Sequence, residues 1–465
     1  MMPEEPSPTR VRYGVLAFVC GLSMVTYLDR VCFGAAAIAI AEALSLRDVT
    51  ELKGAFTAFA LAYAIFEVPA GWMGDRLGPR GTLIRIVVWW SVFTALTGLV
   101  GLQIGGVTLG GLGVLITLRF LFGAGEAGAY PNITRAIHNW FPPGMWETAQ
   151  GCVWMSGRLM GGLTPFLWGL LVAGTAERAP LMTWRGAFVT FGLLGLVWSA
   201  AFALWFRNTP DEHPGTNDAE RELIATSTRW QAGHSDTPWR ALLTNRSLWL
   251  LCGMYTLVNY GWIFNITYLP SYLTTRFALS ETSVLGNLYK GAPLWFGAAG
   301  CLLGGLVVNA ISRRIGDRMR ARRMVCAPVM LLCAACWWTA LSAENVHAFC
   351  VSVSLAAFCI DLTLGSAWAT CQDLGRRHAA VAAACMNTIG TLGAAVSGWL
   401  TGSLVEWTVA ARAGALHVPV ERLSETEKQA ALMAGYDSVF VSYAAVYVVA
   451  ALCWTLISTR RPIGE

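Results

Sequence analysis

The sequence has little charge for its length. Only 13% of its 465 residues are Asp, Glu, Lys or Arg, whereas a soluble globular chain carries about 25%. Hydrophobic residues make up 55% of the chain and the mean hydropathy is +0.52. This is more apolar surface than a soluble core can hide, and the 21 Trp and 48 Gly fit the composition of membrane helices. The chain is therefore predicted to be a polytopic membrane protein.

Lysine is scarce, and several signatures of other protein classes are missing. Lys53, Lys290 and Lys428 are the only lysines among 33 basic residues. No basic patch with interleaved aromatics occurs, so a nucleic-acid partner is excluded. No GxxxxGK[ST] loop occurs, so no nucleotide is expected. HExxH and GxSxG are absent as well, which argues against a membrane-embedded enzyme.

The cysteines predict neither a metal centre nor another cofactor. The 13 Cys are scattered through apolar segments, and Cys333 and Cys336 make the only CxxC pair that stands out. No His lies near that pair, and two thiols cannot complete a four-ligand zinc site. We therefore expect buried, small hydrophobic side chains. The N-terminal apolar segment continues through charged residues, which predicts an uncleaved first helix.

Twelve segments are long and apolar enough to cross a bilayer, which takes about 20 residues each. They predict an all-α membrane protein with a six-helix half at 1–206, a polar linker at 207–246 and a second six-helix half at 247–465. A second polar insert covers 406–435. The predicted helices are 13–41, 53–73, 83–103, 108–132, 148–174, 184–206, 247–274, 285–311, 324–342, 346–370, 379–404 and 436–458.

The placement of Arg and Lys predicts the orientation. With the N-terminus inside, a clear majority of the basic residues that flank the predicted spans are cytoplasmic, as the positive-inside rule requires. Both termini and the linker are therefore expected on the cytoplasmic side of the cell (inner) membrane.

A short basic turn occurs once in each half. "GWMGDRLGPRG" follows the second predicted helix, and "NAISRRIGDRMRARR" follows the eighth, so that Asp75-Arg76-Leu77-Gly78 aligns with Arg313-Arg314-Ile315-Gly316. Repeated halves of this kind are a transporter architecture, in which the substrate lies near the bilayer midplane.

The fourth predicted helix carries charge at membrane depth. Arg119, Gly123, Glu126 and Tyr130 are 4, 3 and 4 residues apart, so they share one face. Arg119 and Glu126 are about 10 Å apart along the axis. Either the two charges form a structural ion pair, or Arg119 binds an anion while Glu126 takes and releases a proton and serves as the charge partner of Arg119 between transport steps.

The first helix carries an adjacent charge pair, Asp29 and Arg30. Neighbours on a helix point about 100° apart. Arg30 shares its face with Ser23, Tyr27 and Gly34, a plausible lining for a sugar acid, whereas Asp29 is expected to point toward a neighbouring helix. The guanidinium fork of Arg30 suits a carboxylate. A pair that only fixes helix packing is the alternative.

Several motifs together carry a family resemblance. "GWMGDRLGPRG" resembles the loop signature of the major facilitator superfamily. The chain from about 15 to 405 is similar to one branch, the anion:cation symporters, which include bacterial hexuronate, galactonate and glucarate transporters and the animal sialin and vesicular glutamate carriers. The motifs are "YLDR", "RFLFGAGEAGAYPNITRAI" with "NWFP" and "AQG", "ITYLPSYL", "GSAWATCQD" and "CMNTIGTLGAAVSGWL".

This resemblance implies a fold, an activity and residue roles. The fold would be the two-half major facilitator fold, and the activity would be proton-driven uptake of a small organic anion, typically a sugar acid, by a monomer in membrane lipid. Tyr63 and Asn387 would line the cavity with Arg30, Arg119 and Tyr130, and Asp29 would carry a second proton beside Glu126. Asp75 and Arg76 would form a gating or packing turn.

The sequence departs from the family at three places and leaves alternatives open. Arg313 stands where an acid is usual, the "PPGMWETAQG" turn is poor in Arg, and the insert at 406–435 is long. Asp361 is either paired with a basic residue or a second titrating group. A non-transporting sensor of the same fold, a facilitator and an exporter all remain as alternatives to symport.

Overall fold

The computed structural model describes residues 7–104, 107–174, 179–225, 236–279 and 284–463. The chain divides into two compact units. The first comprises Met1–Thr244, Trp368–Cys385 and Arg461–Glu465, and the second comprises Asn245–Ala367 and Met386–Arg460. Part of the predicted linker, 226–235, lies outside the described residues.

The first unit is built from helices joined by short turns and one hairpin. Short 3-10 turns and a π turn at Gly169–Ala173 connect some of them. The elements in chain order are α1 (Val11–Ala35), α2 (Ala37–Ala43), α3 (Lys53–Leu77), α4 (Pro79–Thr97), β1 (Leu102–Ile104), β2 (Val107–Leu109), α5 (Leu112–Glu126), α6 (Ala129–Trp140), α7 (Trp146–Trp168), α8 (Trp184–Trp205), α9 (Asp218–Ile224) and α10 (Trp239–Thr244).

The second unit is helical throughout its described part. A π turn at Phe264–Tyr268 links its first two helices, and α15 and α16 contribute residues to both units. The helices are α11 (Arg246–Ile263), α12 (Leu269–Phe277), α13 (Val284–Ile315), α14 (Arg318–Leu341), α15 (Val346–Gly375), α16 (Ala379–Ala415) and α17 (Glu425–Leu456).

Each of the twelve predicted segments overlaps at least one helix. Among the described residues, eight helical stretches are long and apolar enough to cross a membrane. Two of them contain two helices each: Leu112–Trp140 contains α5 and α6, and Val346–Ala415 contains α15 and α16. The predicted all-α, multi-pass architecture is therefore confirmed.

Two predicted helices are wrong in detail around the Gly-rich link. The third was predicted to reach residue 103 and the fourth to start at 108, but α4 ends at Thr97, and β1 and β2 pair antiparallel with Gln103 opposite Thr108. Two short runs flanking a Gly-Gly pair are a hairpin signal. The fourth helix also breaks after Glu126, because Gly128 adopts the left-handed conformation at φ +88°.

Each of the two aligned basic turns ends its helix at a glycine with a positive φ. Helix α3 continues through Asp75 and Arg76 to Leu77, and Gly78 follows at φ +87°; α13 continues to Ile315, and Gly316 follows at φ +70°. The left-handed conformation favours glycine, which stops each helix. Asp75 and Arg76 therefore lie in the last helical turn rather than in an open loop.

The second polar insert is largely helical, contrary to the prediction. Helix α16 extends to Ala415 and α17 begins at Glu425, so helix covers most of 406–435. Ser424 and Glu427 form a capping box at the start of α17. The sequence "SETE" is a capping-box motif. A search for long apolar segments does not detect such a motif.

The first part of the linker folds against the start of α1. Glu220 of α9 is fully buried, pairs with Arg12 at 2.9 Å and accepts hydrogen bonds from the backbone N–H groups of Val11 and Arg12 and from the Thr9 hydroxyl. A carboxylate at a helix N-terminus satisfies donors that the helix itself cannot. This part of the linker is therefore an ordered cap rather than a loose tether.

Candidate transport site

Glu126 is held by the first helix. It is the last residue of α5, is fully buried, and its Oε1 accepts a hydrogen bond of 2.6 Å from Nε of Arg30 on α1. Arg30, rather than the expected Arg119, is therefore the arginine in direct contact with this carboxylate, and Arg119 interacts with Glu126 electrostatically. Two helical turns separate Arg119 from Glu126 within their own segment, whereas α1 places Arg30 directly against the carboxylate.

Arg119 is enclosed by aromatic rings instead. Its guanidinium carbon lies 4.1 Å from the ring centroid of Phe33, 4.9 Å from Phe59 and 4.5 Å from Phe122. The residue is only 4% exposed, and its Nε has no hydrogen-bond partner among the described residues. Cation–π attraction is strongest where water is excluded, so the rings stabilise a buried positive charge.

Asp29 points away from its neighbour Arg30. It is buried and faces Trp90 and Thr94 of α4, and it interacts electrostatically with Arg119 and Glu126. The two adjacent charges of α1 thus serve different sides of the helix. Asp29 faces α4, while Arg30 reaches Glu126 of α5.

Tyr63 and Tyr130 surround Arg30. The Arg30 guanidinium lies 4.9 Å from the ring centroid of Tyr63 on α3, and it interacts electrostatically with Tyr130. The Tyr130 hydroxyl shares a hydrogen bond of 3.1 Å with Ser23. The side chain of Arg30 is 31% exposed, so it is more accessible than that of Arg119, although its Nη2 is buried and has no hydrogen-bond partner among the described residues.

Asp75 binds a helix N-terminus, and Arg76 does not take part. Asp75 accepts hydrogen bonds from the backbone N–H groups of Ala380 and Val381 at 3.1 and 2.9 Å, and Arg135 lies 3.8 Å away. The positive end of the α16 helix dipole stabilises this negative charge at the start of the helix. Arg76 stacks on Trp72 at 5.3 Å. The gating role of both residues stays a prediction.

Asn387 and Asp361 belong to the second unit. Asn387 lies on α16 and is 8% exposed. Asp361 is fully buried on α15, where a Cβ atom at Gly297 would come within 2.2 Å of its carboxylate. The backbone of α13 therefore packs directly on Asp361.

A buried charge beside Tyr63 was not among the predicted site residues. Glu67 is fully buried on α3, one helical turn after Tyr63, with which it interacts electrostatically. The sequence does show this glutamate within the apolar run "AYAIFEVPAG". Because a charge inside the membrane is energetically costly, such a residue is a candidate for function.

The fold and this site define a class. Buried arginines, carboxylates and tyrosines meet inside a helical membrane unit, and the described residues contain no group of three His, Cys, Asp or Glu that could hold a metal ion. Such intramembrane charges mark substrate and proton pathways. The molecule is a multi-pass membrane transporter.

Comparison with known proteins identifies the family. The model for the Major Facilitator Superfamily matches residues 19–398, so the chain belongs to that superfamily. It is 32% identical over 411 residues to a probable sulfoacetate transporter of Cupriavidus necator, covering 86% of this chain and 88% of that protein. It is 27% identical over 394 residues to a probable L-galactonate transporter of Escherichia coli, covering 82% and 79%.

The structural comparison agrees on the fold. A solved structure of a proton:xylose symporter superposes with a TM-score of 0.70 at 12% identity, covering 96% of both chains. The named relatives confirm the similarity to anion:cation symporters, and they are transporters rather than enzymes.

Proposed function

We propose that the protein moves a small organic anion across the cell membrane together with protons, by alternating access. The observation that carries the proposal is the hydrogen bond between Arg30 and Glu126. An arginine that binds an intramembrane carboxylate can bind a substrate carboxylate or sulfonate through the same fork. Two relatives are named for such anions, sulfoacetate and L-galactonate.

The proposed cycle links the proton to the anion through Arg30. When Glu126 is ionised, it occupies the Nε donor of Arg30. Protonation removes the charge of Glu126, weakens that bond, and leaves the Arg30 fork for the substrate. After the substrate leaves, Glu126 loses its proton and pairs with Arg30 again. This exchange gives the two states different affinities for the anion, which any coupling requires.

The other site residues have supporting roles in this proposal. Arg119, held among Phe33, Phe59 and Phe122, adds positive potential that attracts the anion. Asp29 carries a second proton. Tyr63 and Tyr130 line the anion site, and Asn387 of α16 is a further substrate-binding residue in this proposal. A sugar acid is the substrate class that the sequence favours, and a short sulfonate is the class that the relative from Cupriavidus necator suggests.

Uptake into proteoliposomes tests the proposal. Purified protein should accumulate labelled galactonate or sulfoacetate when the lumen is made more alkaline than the outside, and an uncoupler should abolish the accumulation. Entry without accumulation would identify a facilitator. Binding without entry would identify a sensor, and accumulation only under the reversed gradient would identify an exporter.

A further inference from the structure

A partly open cavity of about 550 Å³ lies where the linker meets the last turns of α3. Ligand-binding cavities typically have about 300–1,000 Å³. The lining combines two tryptophans and two opposite charges with three smaller side chains. They are Val68, Pro69, Trp72 and Arg76 of α3, and Asp236, Thr237 and Trp239 of the linker. None of these residues belongs to the proposed anion site.

The cavity carries one positive and one negative charge. The guanidinium carbon of Arg76 lies 5.3 Å from the ring centroid of Trp72, so the guanidinium lies over the indole. A guanidinium in this position keeps N–H donors for an anion. Asp236, on the linker side, is exposed, and within the described chain it forms no ion pair with Arg76. The cavity therefore offers separate positions for two opposite charges of a ligand.

An exposed apolar strip on α3 leads into the cavity. One face of the helix carries residues spaced 4, 4, 3 and 4 positions apart, namely Leu61, Ile65, Pro69, Trp72 and Arg76. Leu61 and Ile65 are 54% and 52% exposed, and α3 lies within a stretch that is long and apolar enough to cross a membrane. Such a face is suited to contact lipid acyl chains. Because it ends at a guanidinium in the last turn of α3, the cavity lies at the depth of the lipid headgroups.

The linker helix α10 presents an apolar face beside this end of α3. Trp239 and Leu243 are one helical turn apart and are 44% and 63% exposed, whereas Leu242 is buried. An exposed Trp and Leu on a helix beside the end of a membrane-spanning segment are typical of the membrane–water interface, where tryptophan is enriched. The exposed faces of α3 and α10 thus agree on the level of the cavity.

We propose that the cavity binds the headgroup of a phospholipid that ends in a primary ammonium group, as phosphatidylethanolamine does. Arg76 binds the phosphate, and Asp236 accepts hydrogen bonds from the ammonium group. The acyl chains lie along Leu61 and Ile65. A choline headgroup has no N–H to donate to Asp236, and a glycerol headgroup has no positive charge to balance it. The inference goes beyond the proposed function and does not depend on it, because lipid binding requires no transport.

The bound lipid joins the linker to α3. Its phosphate contacts one element and its ammonium group contacts the other, so a single headgroup holds α10 at the end of α3. A ligand that binds the folded state and not the unfolded chain stabilises the folded state. Phosphatidylethanolamine should therefore raise the melting temperature of the protein, and it should do so more than lipids that lack the primary ammonium group.

The first test uses the unmodified full-length protein, purified in detergent and freed of lipid. Native mass spectrometry measures the affinities for phosphatidylethanolamine, phosphatidylcholine and phosphatidylglycerol with identical acyl chains, and thermal unfolding measures the stabilisation by each. We expect phosphatidylethanolamine to bind about tenfold more tightly than phosphatidylcholine, as one charge-assisted hydrogen bond allows, and more tightly than phosphatidylglycerol. Equal or tighter binding of either other lipid overturns the proposal. Equal stabilisation by water-soluble glycerophosphoethanolamine also overturns it, because the cavity would then take a free headgroup rather than a lipid.

The second test compares Asp236→Asn and Arg76→Gln with the control Arg240→Gln. Arg240 is an exposed arginine of α10 that does not line the cavity. Asp236→Asn should remove the preference for phosphatidylethanolamine over phosphatidylcholine, Arg76→Gln should weaken the binding of all three lipids, and the control should change neither property. Because Arg76 and Asp236 are both exposed, the lipid-free variants should unfold at the wild-type temperature. A preference that survives Asp236→Asn refutes the assignment, even if Arg76→Gln fails to fold.

Discussion

Arg30 and Glu126 lie on different helices, α1 and α5, and meet through a hydrogen bond of 2.6 Å. The carboxylate is fully buried, while the side chain of Arg30 is 31% exposed. A substrate anion can break this hydrogen bond by competing for Arg30, and a proton can break it by neutralising Glu126. Binding of the anion and binding of the proton therefore favour each other.

Glu126→Gln imitates the protonated carboxyl permanently. The variant should still bind substrate and exchange it across the membrane, because the Arg30 fork is no longer held by a negative charge. It should fail to accumulate substrate, because no proton is released. Counterflow and pH-driven uptake in proteoliposomes measure the two properties separately. Accumulation at the wild-type level would show that Glu126 only fixes helix packing.

Arg30→Ala and Arg119→Ala should both remove substrate binding. Loss of Arg30 removes the fork and leaves Glu126 buried without its partner, which costs about 3–5 kcal/mol. Loss of Arg119 removes the positive charge that lies among the side chains of Phe33, Phe59 and Phe122 and that attracts the anion. Lysine should rescue poorly at either position because it has no planar fork. Arg47→Ala is the control for net charge, and wild-type affinity in both site variants would refute the assignment.

Glu220→Ala should destabilise the first unit more than any exposed change in the linker. It removes the partner of Arg12 and the acceptor for two backbone N–H groups of α1, at a cost of about 3 kcal/mol. Asp218→Ala, at a side chain that is 97% exposed, is the matched control and should change stability by less than about 0.5 kcal/mol. Thermal unfolding of the purified proteins compares them, and equal melting temperatures would contradict the cap.

His213 should make the stability of the first unit sensitive to acid. It is buried between Trp140 and Trp205, and burial together with the nearby charge of Arg207 lowers its pKa below the usual 6.5, while Glu220 partly opposes this. A lowered pKa means that the folded state favours the neutral ring. The stabilisation is thus present above pH 6.5 and is lost as the pH falls below that value. Melting temperatures between pH 7.5 and 5.5 should fall less steeply for His213→Gln, and identical slopes would exclude this origin.

Cysteine labelling tests the orientation. Asp218→Cys and Glu425→Cys place single thiols at exposed positions on a cysteine-free background. A membrane-impermeant maleimide added to intact cells should label position 425, and it should label position 218 only after the cytoplasmic side is opened. The reverse pattern would overturn the predicted cytoplasmic termini.

The sequence predicted the helices well and their ends poorly, for one physical reason. The length of an apolar run reflects the thickness of the bilayer, whereas a helix can continue beyond the bilayer. Asp75 and Arg76 lie in the last turn of α3. Helix α17 begins at Glu425, eleven residues before its predicted start. The signals that do set these ends are local, namely the left-handed glycine at Gly78 and the capping box at Ser424.

The sequence singled out the charged and aromatic residues of the site but not their pairing, and their roles in transport stay predictions. Asp29, Arg30, Tyr63, Arg119 and Glu126 all lie in the first unit. However, helix spacing within one segment cannot show which neighbouring helix supplies a partner. Arg30 rather than Arg119 therefore holds Glu126, and the aromatic cage of Arg119 comes from three helices, α1, α3 and α5.

The bond from Arg12 to Glu220 also sets an order of events during synthesis. The backbone of Arg12 and its acceptor are 208 residues apart, and at about 5–20 residues per second the ribosome needs roughly 10–40 s to make that stretch. Until then the first N–H groups of α1 can bond only to water or to the translocation machinery. The carboxylate of Glu220 is made after all the predicted spans of the first half, so the cap on α1 forms only once those spans exist.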